Sequence, residues 1–338
     1  MSTELSSDLG AVPGISGTAE LVQAIPYLLG FHQRDSLVLV GMANGRLVVT
    51  ARLDLADASA FAGETIAAMA RGGAEEFIVA VYDGAAAPDS ALDALPWAET
   101  AMAVVDKAEP ADHPVADAIL VGADPWWSYL CRIPRCCPLD GTRLPSAPSA
   151  FAAAATVSGV VALPDRAAVA AQLEPMPGRE RLRAALAAAE RDAAAAFVGG
   201  NGDRWQRSAT RSLFAAARRS TAPGWPGPAE SEVVRFGVAL NREPVHTAAW
   251  QAIDAKRLDG RQLWRALAQR LPAQYAAGPA FLFGWRSWRA GEGALARIAV
   301  ERALASDEAY EPAALLMAVL STGVSPHKVP RLRLPRPA

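Results

Sequence analysis

The sequence predicts a mixed α/β sheet opened by an N-terminal β-hairpin and followed by an all-helical region that ends in a close-packed helical hairpin. Three observations carry this expectation. Asn44 and Gly45 stand between two runs rich in β-formers, and an Asn-Gly pair is the residue choice demanded by a two-residue hairpin turn with positive φ at both positions. Phe77 to Tyr82 is apolar without alternation, as in a strand covered on both faces. Beyond Pro148 the apolar residues recur at helical spacing, interrupted only by Pro and Gly.

Taken in order, Ser16 or Thr18 is placed to cap a helix reaching Leu29, with Gly30 as its stop and Pro26 bending its last turn. Strands follow at Ser36 to Met42 and Arg46 to Leu53. Asp57 is positioned to cap a helix presenting Phe61, Thr65 and Met69, closed by Gly72 and Gly73. Helical stretches flank Pro96, and further strands are expected at Ala118 to Val121 and around Trp126 to Cys131. The Pro-, Gly- and Ser-rich stretch from Pro138 to Pro148 reads as the boundary between a domain over residues 1–145 and a second over 146–338. Helical segments then run near 165–173, 178–197, 204–219, 229–241, 246–257, 261–271, 280–289, 292–305 and 309–321.

Composition narrows the function classes. Of 338 residues, 51% are hydrophobic and 20% charged, which excludes a disordered or highly charged scaffold. No apolar run approaches the length that crosses a bilayer, and the first residues lack the cationic and apolar blocks of a secretory leader, so a cytoplasmic location without membrane attachment is the expectation. Three cysteines do not make a disulfide framework. The formal charge of -2 hides a split: residues 1–150 carry -11 and residues 151–338 carry +9. Two oppositely charged domains attracting one another is the first reading. Nucleic-acid binding through the arginine-rich helices, among them Arg204, Arg207 and Arg211, ranks lower because no stacking aromatics or grooved basic motif accompany them.

Two resemblances add to this. Gly284, Ala296 and Ala303 are separated by 12 and 7 residues, which resembles the close-packing positions of a tetratricopeptide hairpin. Glu308 departs from the proline favoured there, and a single copy points to ordinary helical packing over a peptide groove. Separately, the segment Pro26 to Ser36, the hairpin end Arg52 to Leu55, Trp127 to Cys131, Cys136 to Gly141 and Gly291 to Leu304 together resemble an actinobacterial family catalogued as domain of unknown function 4192. That resemblance spans nearly the whole chain and implies no activity, substrate or cofactor. Gln33 replaces a common proline of the family, and Val245 to Ala248 replaces a segment that usually carries adjacent Arg and Asp.

Chemistry is expected first at the open end of the hairpin. With a regular two-residue turn, Met42 faces Leu47, Val40 faces Val49 and Asp35 faces Asp54. One face then holds Val38, Val40, Met42, Leu47, Val49 and Leu53. The other gathers Asp35, Arg52 and Asp54, with His32 and Arg34 just upstream. Two carboxylates about 5 Å apart repel unless a cation intervenes, and Arg52 lies diagonal to Asp35. Such a group is either an ion-pair cluster, a ligand site using Arg34 and Arg52, or an acid/base pair of Asp35 and Asp54 assisted by His32.

Cys131, Cys136 and Cys137 form the second constellation. They are read as small buried residues at a tight turn, or as a redox or nucleophilic thiol favoured by Arg132 and Arg135, or as metal ligands. No metal is expected, because three cysteines at this spacing fall short of a structural zinc site and adjacent residues on an extended chain point to opposite sides. His113 or Asp140 would have to complete a set. His246 begins a helix and His327 lies in a basic tail. Gly199 to Gly202 lacks the strand and lysine of a phosphate loop, and no cofactor is expected. The primary reading is a non-enzymatic protein binding a protein or small-molecule partner. An enzyme using His32, Asp35, Asp54, Cys131 or Cys136 is the alternative.

Overall fold

The computed structural model describes residue 15 and residues 17–85, 95–108, 113–131, 133–157, 160–322, 324, 326 and 328–332. Two compact units emerge, one of residues 1–168 with 321–328 and one of residues 169–320 with 329–338. His327, Arg132, Ser16 and the stretch before Pro96 that was expected to be helical lie outside the described residues. Among the described residues no helix is long and apolar enough to cross a membrane.

The first unit is built on a five-stranded mixed sheet in the order β2-β1-β3-β4-β5. Helix α1 (Thr18–Leu29) precedes β1 (Ser36–Ala43) and β2 (Arg46–Asp54). After α2 (Ala58–Arg71) comes β3 (Glu76–Tyr82), and α3 (Ala98–Ala108) carries the chain to β4 (Val115–Val121), which runs parallel to β3. β5 (Trp126–Ser128) returns antiparallel. Asn44 and Gly45 take φ of 52° and 69°, the conformation expected of that dipeptide. Gly30, at φ 85°, ends α1 as expected, but Gly17 and not Thr18 occupies the position before its first turn.

Both faces of the sheet are covered. Leu37, Leu39, Phe77, Val79 and Leu120 meet Ala62, Ile66 and Met69 of α2 and Val104 of α3. On the other face Val38, Val40, Ala80 and Ile119 meet Leu21, Val22 and Ile25 of α1. Met69 of α2 is buried as expected, but Phe61 is exposed, and Ala58, Ala62 and Ile66 are the other buried positions on that side. The register is corrected as well. Met42 faces Leu47 as expected, but a bulge between Gly41 and Met42 of the ladder shifts every pair beyond it, so Val38 opposes Arg52 and Ser36 opposes Asp54. One extra residue on one strand moves Val49 and Leu53 to the opposite face, with Leu37 and Leu39. Gly41 lies at this bulge because a Cβ there would sit 2.7 Å from that of Ala74.

The stretch Pro138 to Pro148 is tied to the sheet. Trp126 and Thr142 exchange backbone bonds of 2.9 and 2.8 Å, and Gln23 Nε2 donates to the carbonyls of Pro145 and Ala147. Helix α4 (Ala150–Val157) then packs Phe151 and Ala155 on Ala24 and Leu28 of α1, so the first unit continues beyond Pro145. The alanine-rich α4 was not among the expected helices.

The second unit is helical. Its elements are α5 (Arg166–Ala171), which enters from the first unit, then α6 (Arg183–Val198), α7 (Gly202–Arg219), α8 (Glu230–Leu240), α9 (Glu243–Asp254), α10 (Arg261–Arg270), α11 (Ala273–Arg289), α12 (Gly293–Ser306) and α13 (Glu311–Ser321). Helix α11 starts seven residues before its expected position and runs through Pro279, with nearly all its residues buried. Phe236, Trp264, Phe281 and Phe283 are fully buried.

Gly284 lets α11 and α12 pack closely: a Cβ on it would stand 3.1 Å from Ala299 Cβ and 3.3 Å from Ala296 O. A Gly284→Leu chain is expected to lose about 1–3 kcal/mol by overpacking, read as a shifted urea midpoint. An unchanged midpoint would show that this contact yields freely.

Candidate functional site

The carboxyl ends of β3 and β4 open onto a cleft of about 780 Å³. Crevices beyond the carboxyl ends of parallel strands are where open α/β sheets bind ligands, because the chain leaves the sheet there and exposes loops and helix ends. The polar wall comes from His32, Gln33, Arg34 and Asp35 on the loop between α1 and β1, and from Tyr82 at the end of β3. The apolar wall comes from Val22, Pro26, Tyr27, Val121 and Leu144.

The loop is held in place by its backbone. Phe31 bridges to Leu163, His32 N–H donates to Leu163 O at 2.8 Å, and Leu163 N–H returns to Gly30 O. Gln33 is buried, and its Nε2 donates to Phe31 O at 2.7 Å. Asp35 takes φ 44°, a left-handed conformation that Asp tolerates better than most residues, and this turns the chain from the loop into β1.

Beneath the loop lie polar atoms with no hydrogen-bond partner among the described residues. They are Gln33 Oε1, Ser36 Oγ and Tyr82 Oη. Ser36 opposes Tyr82 across the β1–β3 ladder, so the two hydroxyls share one face of the sheet. Each such group costs about 1–3 kcal/mol when sealed from water. Burial also pushes the Tyr82 phenol far above its ordinary pKa, so it remains a neutral donor. Tyr82 escaped the sequence reading because it closes an apolar strand and looks like core. The signal was a hydroxyl at the end of a doubly covered strand, just before Asp83 and Gly84.

His32, Arg34 and Asp35 are therefore brought to one cleft, while Asp54 and Arg52 are not among its walls. The expected facing of Asp35 and Asp54 does not occur, since the bulge places Ser36 opposite Asp54 and Asp35 lies outside the strand. Asp54 instead accepts from Arg52 Nη1 at 2.7 Å, an exposed pair of small energetic consequence. The acid/base pairing of Asp35 with Asp54 has no support in this arrangement.

The cysteines converge more than their spacing suggested. Their three sulfurs all lie within 4.8 Å of one another, with Cys137 buried, Cys131 half-buried and Cys136 exposed. Cys136 and Cys137 do not diverge, because their N–H groups both donate to Ile133 O and the segment is a compact turn, not an extended chain. Neither His113 nor Asp140 belongs to the group, and the His113 ring packs edge-on against Phe77.

The thiols differ in character. A hydrogen bond from the Ile133 backbone and another from Cys137 lower the Cys131 pKa. Burial, reinforced by bonds to Cys131 and Cys136, pushes Cys137 up to about 12. Asp117, raised by burial, accepts from Ser128 Oγ at 2.7 Å. Ser128 Oγ in turn accepts from the N–H groups of Leu130 and Cys131, which ends β5 early and bends the chain into the cysteine loop.

In the second unit a groove of about 500 Å³ between α6, α7 and α8 is lined by Ala189, Trp205, Val234 and Arg235. His246, in the first turn of α9, is buried among Trp250, Phe281 and Tyr310, with Tyr310 Oη 2.7 Å from its Nε2. It lines neither cavity.

No curated protein and no solved structure matches this sequence. The profile of one family does, over residues 19–327, which take in the cleft loop, the cysteine turn and most of each compact unit. On that match the chain belongs to the family described as domain of unknown function DUF4192.

Proposed function

We propose that this protein binds a small molecule in the cleft beyond β3 and β4. The observation that carries the reading is the pairing of a cleft of about 780 Å³ with Tyr82 and Gln33 in its wall, residues whose Oη and Oε1 are buried without a hydrogen-bond partner among the described residues. A binding site is where a fold tolerates unmet polar groups, because the ligand supplies the missing bonds. The walls define the ligand's chemistry: an apolar body for Val22, Pro26 and Leu144, an acceptor for the Tyr82 hydroxyl, and a donor for the Gln33 carbonyl. Arg34 and Asp35 add one charge of each sign at the polar wall.

The test couples affinity to stability. Small amide and carboxylic-acid fragments are expected to give ligand-observed NMR signals with the wild-type chain and lose them in Ser146→Trp, which places bulk at the exposed cleft rim. Tyr82→Phe removes an unpaired hydroxyl, so the ligand-free chain is expected to gain about 1 kcal/mol while its best fragment binds about 10-fold more weakly. Lower stability in Tyr82→Phe, or fragment binding indifferent to Ser146→Trp, would sink the reading.

A second reading, catalysis, draws on His32 and Asp35 lining the same cleft. Chemical turnover of a bound fragment that stops in His32→Ala would mark it. For the nucleic-acid reading, three arginines of the helical region, Arg181, Arg183 and Arg219, are paired with Glu230, Glu180 and Glu232, which reduces the free positive charge there. Salt-sensitive binding to generic DNA would revive that reading.

A further inference from the structure

We propose that Cys131, Cys136 and Cys137 together bind one thiophilic d10 metal ion, zinc(II) or copper(I), through three thiolates. The inference is independent of the cleft.

Geometry is the first argument. A zinc–thiolate bond of about 2.3 Å places the sulfurs of a tetrahedral site about 3.8 Å apart. The three sulfurs already lie within 4.8 Å of one another, about 1 Å at most from that spacing. Of the residue types that hold metals, the group contains only sulfur donors, and soft donors select zinc or copper(I) over magnesium, calcium or manganese.

The loop is also prepared for the task. At one end Trp126 and Thr142 exchange backbone bonds, and at the other Asp117 holds Ser128, whose oxygen fixes the Cys131 N–H. Gly141, at φ 81°, passes Trp127 so closely that a Cβ would lie 2.7 Å from the indole. Restraints of this kind orient ligands before the ion arrives. Exposed Cys136 gives the ion its entry, and buried Cys137 forms the floor.

Three convergent sulfurs distinguish this arrangement from a redox pair, which needs two. The balance is simple: three thiols and one ion give a tris-thiolate complex and three protons released to solvent, with no electron transferred. Three protein ligands leave one coordination position of a tetrahedral ion for water or an exogenous ligand.

The experiment uses the full chain, reduced, stripped with a chelator and kept free of oxygen. Cobalt(II) is the spectroscopic probe. One equivalent is expected to produce a thiolate-to-cobalt charge-transfer band, with release of protons to a dilute indicator. Zinc(II) in one arm and copper(I) in another should each bleach the band, and the arm that does so at lower free metal identifies the preferred ion. Cys136→Ser alters an exposed side chain and should leave the circular dichroism spectrum unchanged while weakening cobalt binding by at least about 100-fold. Cys131→Ser should do the same. The proposal is overturned by either of two results: no charge-transfer band, or a band unaffected by Cys136→Ser.

Discussion

Replacing Asp254 with alanine is expected to destabilise the protein by about 3–5 kcal/mol, the largest loss from any single change considered. Asp254 is almost fully buried at the end of α9, and each of its carboxylate oxygens has a donor. Arg289 Nε lies 2.6 Å from Oδ1, which also accepts from Trp285 Nε1 at 3.0 Å. Leu332 N–H donates to Oδ2 at 2.6 Å.

Removing the carboxylate takes the Asp254 ion pair away from a largely buried Arg289 guanidinium that lies over the rings of Trp285 and Trp288. It also frees the segment 329–332, because Arg289 bonds the carbonyls of Val329 and Pro330 from the same position. Urea titration should show the lost stability, and hydrogen exchange should show Leu332 deprotected. Asp254→Asn is expected to lose less, since the amide oxygen still accepts. A loss below about 1 kcal/mol in Asp254→Ala would mean that solvent reaches this pair.

Acid should destabilise the helical unit through His246. Burial among aromatic rings lowers its pKa from 6.5 to about 4. The folded imidazole therefore stays neutral, while in the unfolded chain it takes up a proton near its ordinary pKa. The unfolded state binds more protons between those values, so this contribution is fully present above about pH 6.5. It is lost as pH falls toward about 4, by up to about 3 kcal/mol. His246→Gln keeps an acceptor for Tyr310 without titrating. Denaturation at pH 7, 5.5 and 4.5 should give a flatter stability curve for that variant. Parallel curves for both proteins would refute the assignment.

Some of this molecule was legible residue by residue. Asn44-Gly45 gave away the hairpin turn because few residue pairs accept two positive φ values in succession. Gly30 marked a helix end for the same steric reason. Phe77 to Tyr82 announced a strand covered on both sides, and α1 and α2 cover it. The helices of the second unit followed from period and punctuation, although α11 began earlier than its pattern showed because Pro279 sits inside it.

The site was legible only in outline. His32, Arg34 and Asp35 were singled out by their place at the mouth of the hairpin, and they do line the cleft. Asp54 and Arg52 were added by a register count that one bulge invalidates. A bulge has no dependable local signature here, since Val48 and Val49 suit a regular strand equally well. Tyr82 and Gln33 were missed because an orphaned hydroxyl or carbonyl is a property of its surroundings. The cysteine turn was misjudged for a related reason: alternation holds on extended chain, and two N–H groups donating to Ile133 O make it a turn.

The sequence by itself determined what short-range sterics and periodicity dictate: a hairpin at Asn44-Gly45, a doubly covered β3, a mixed sheet first and helices after. Tertiary structure decided which polar atoms went without partners, how three sulfurs met, and that Asp254 and Arg289 would pair 35 residues apart. The physical reason is range. Backbone conformation is set by neighbours within a few residues, whereas desolvation and side-chain convergence depend on packing between segments remote in the chain, and a single bulge or carbonyl redirects them.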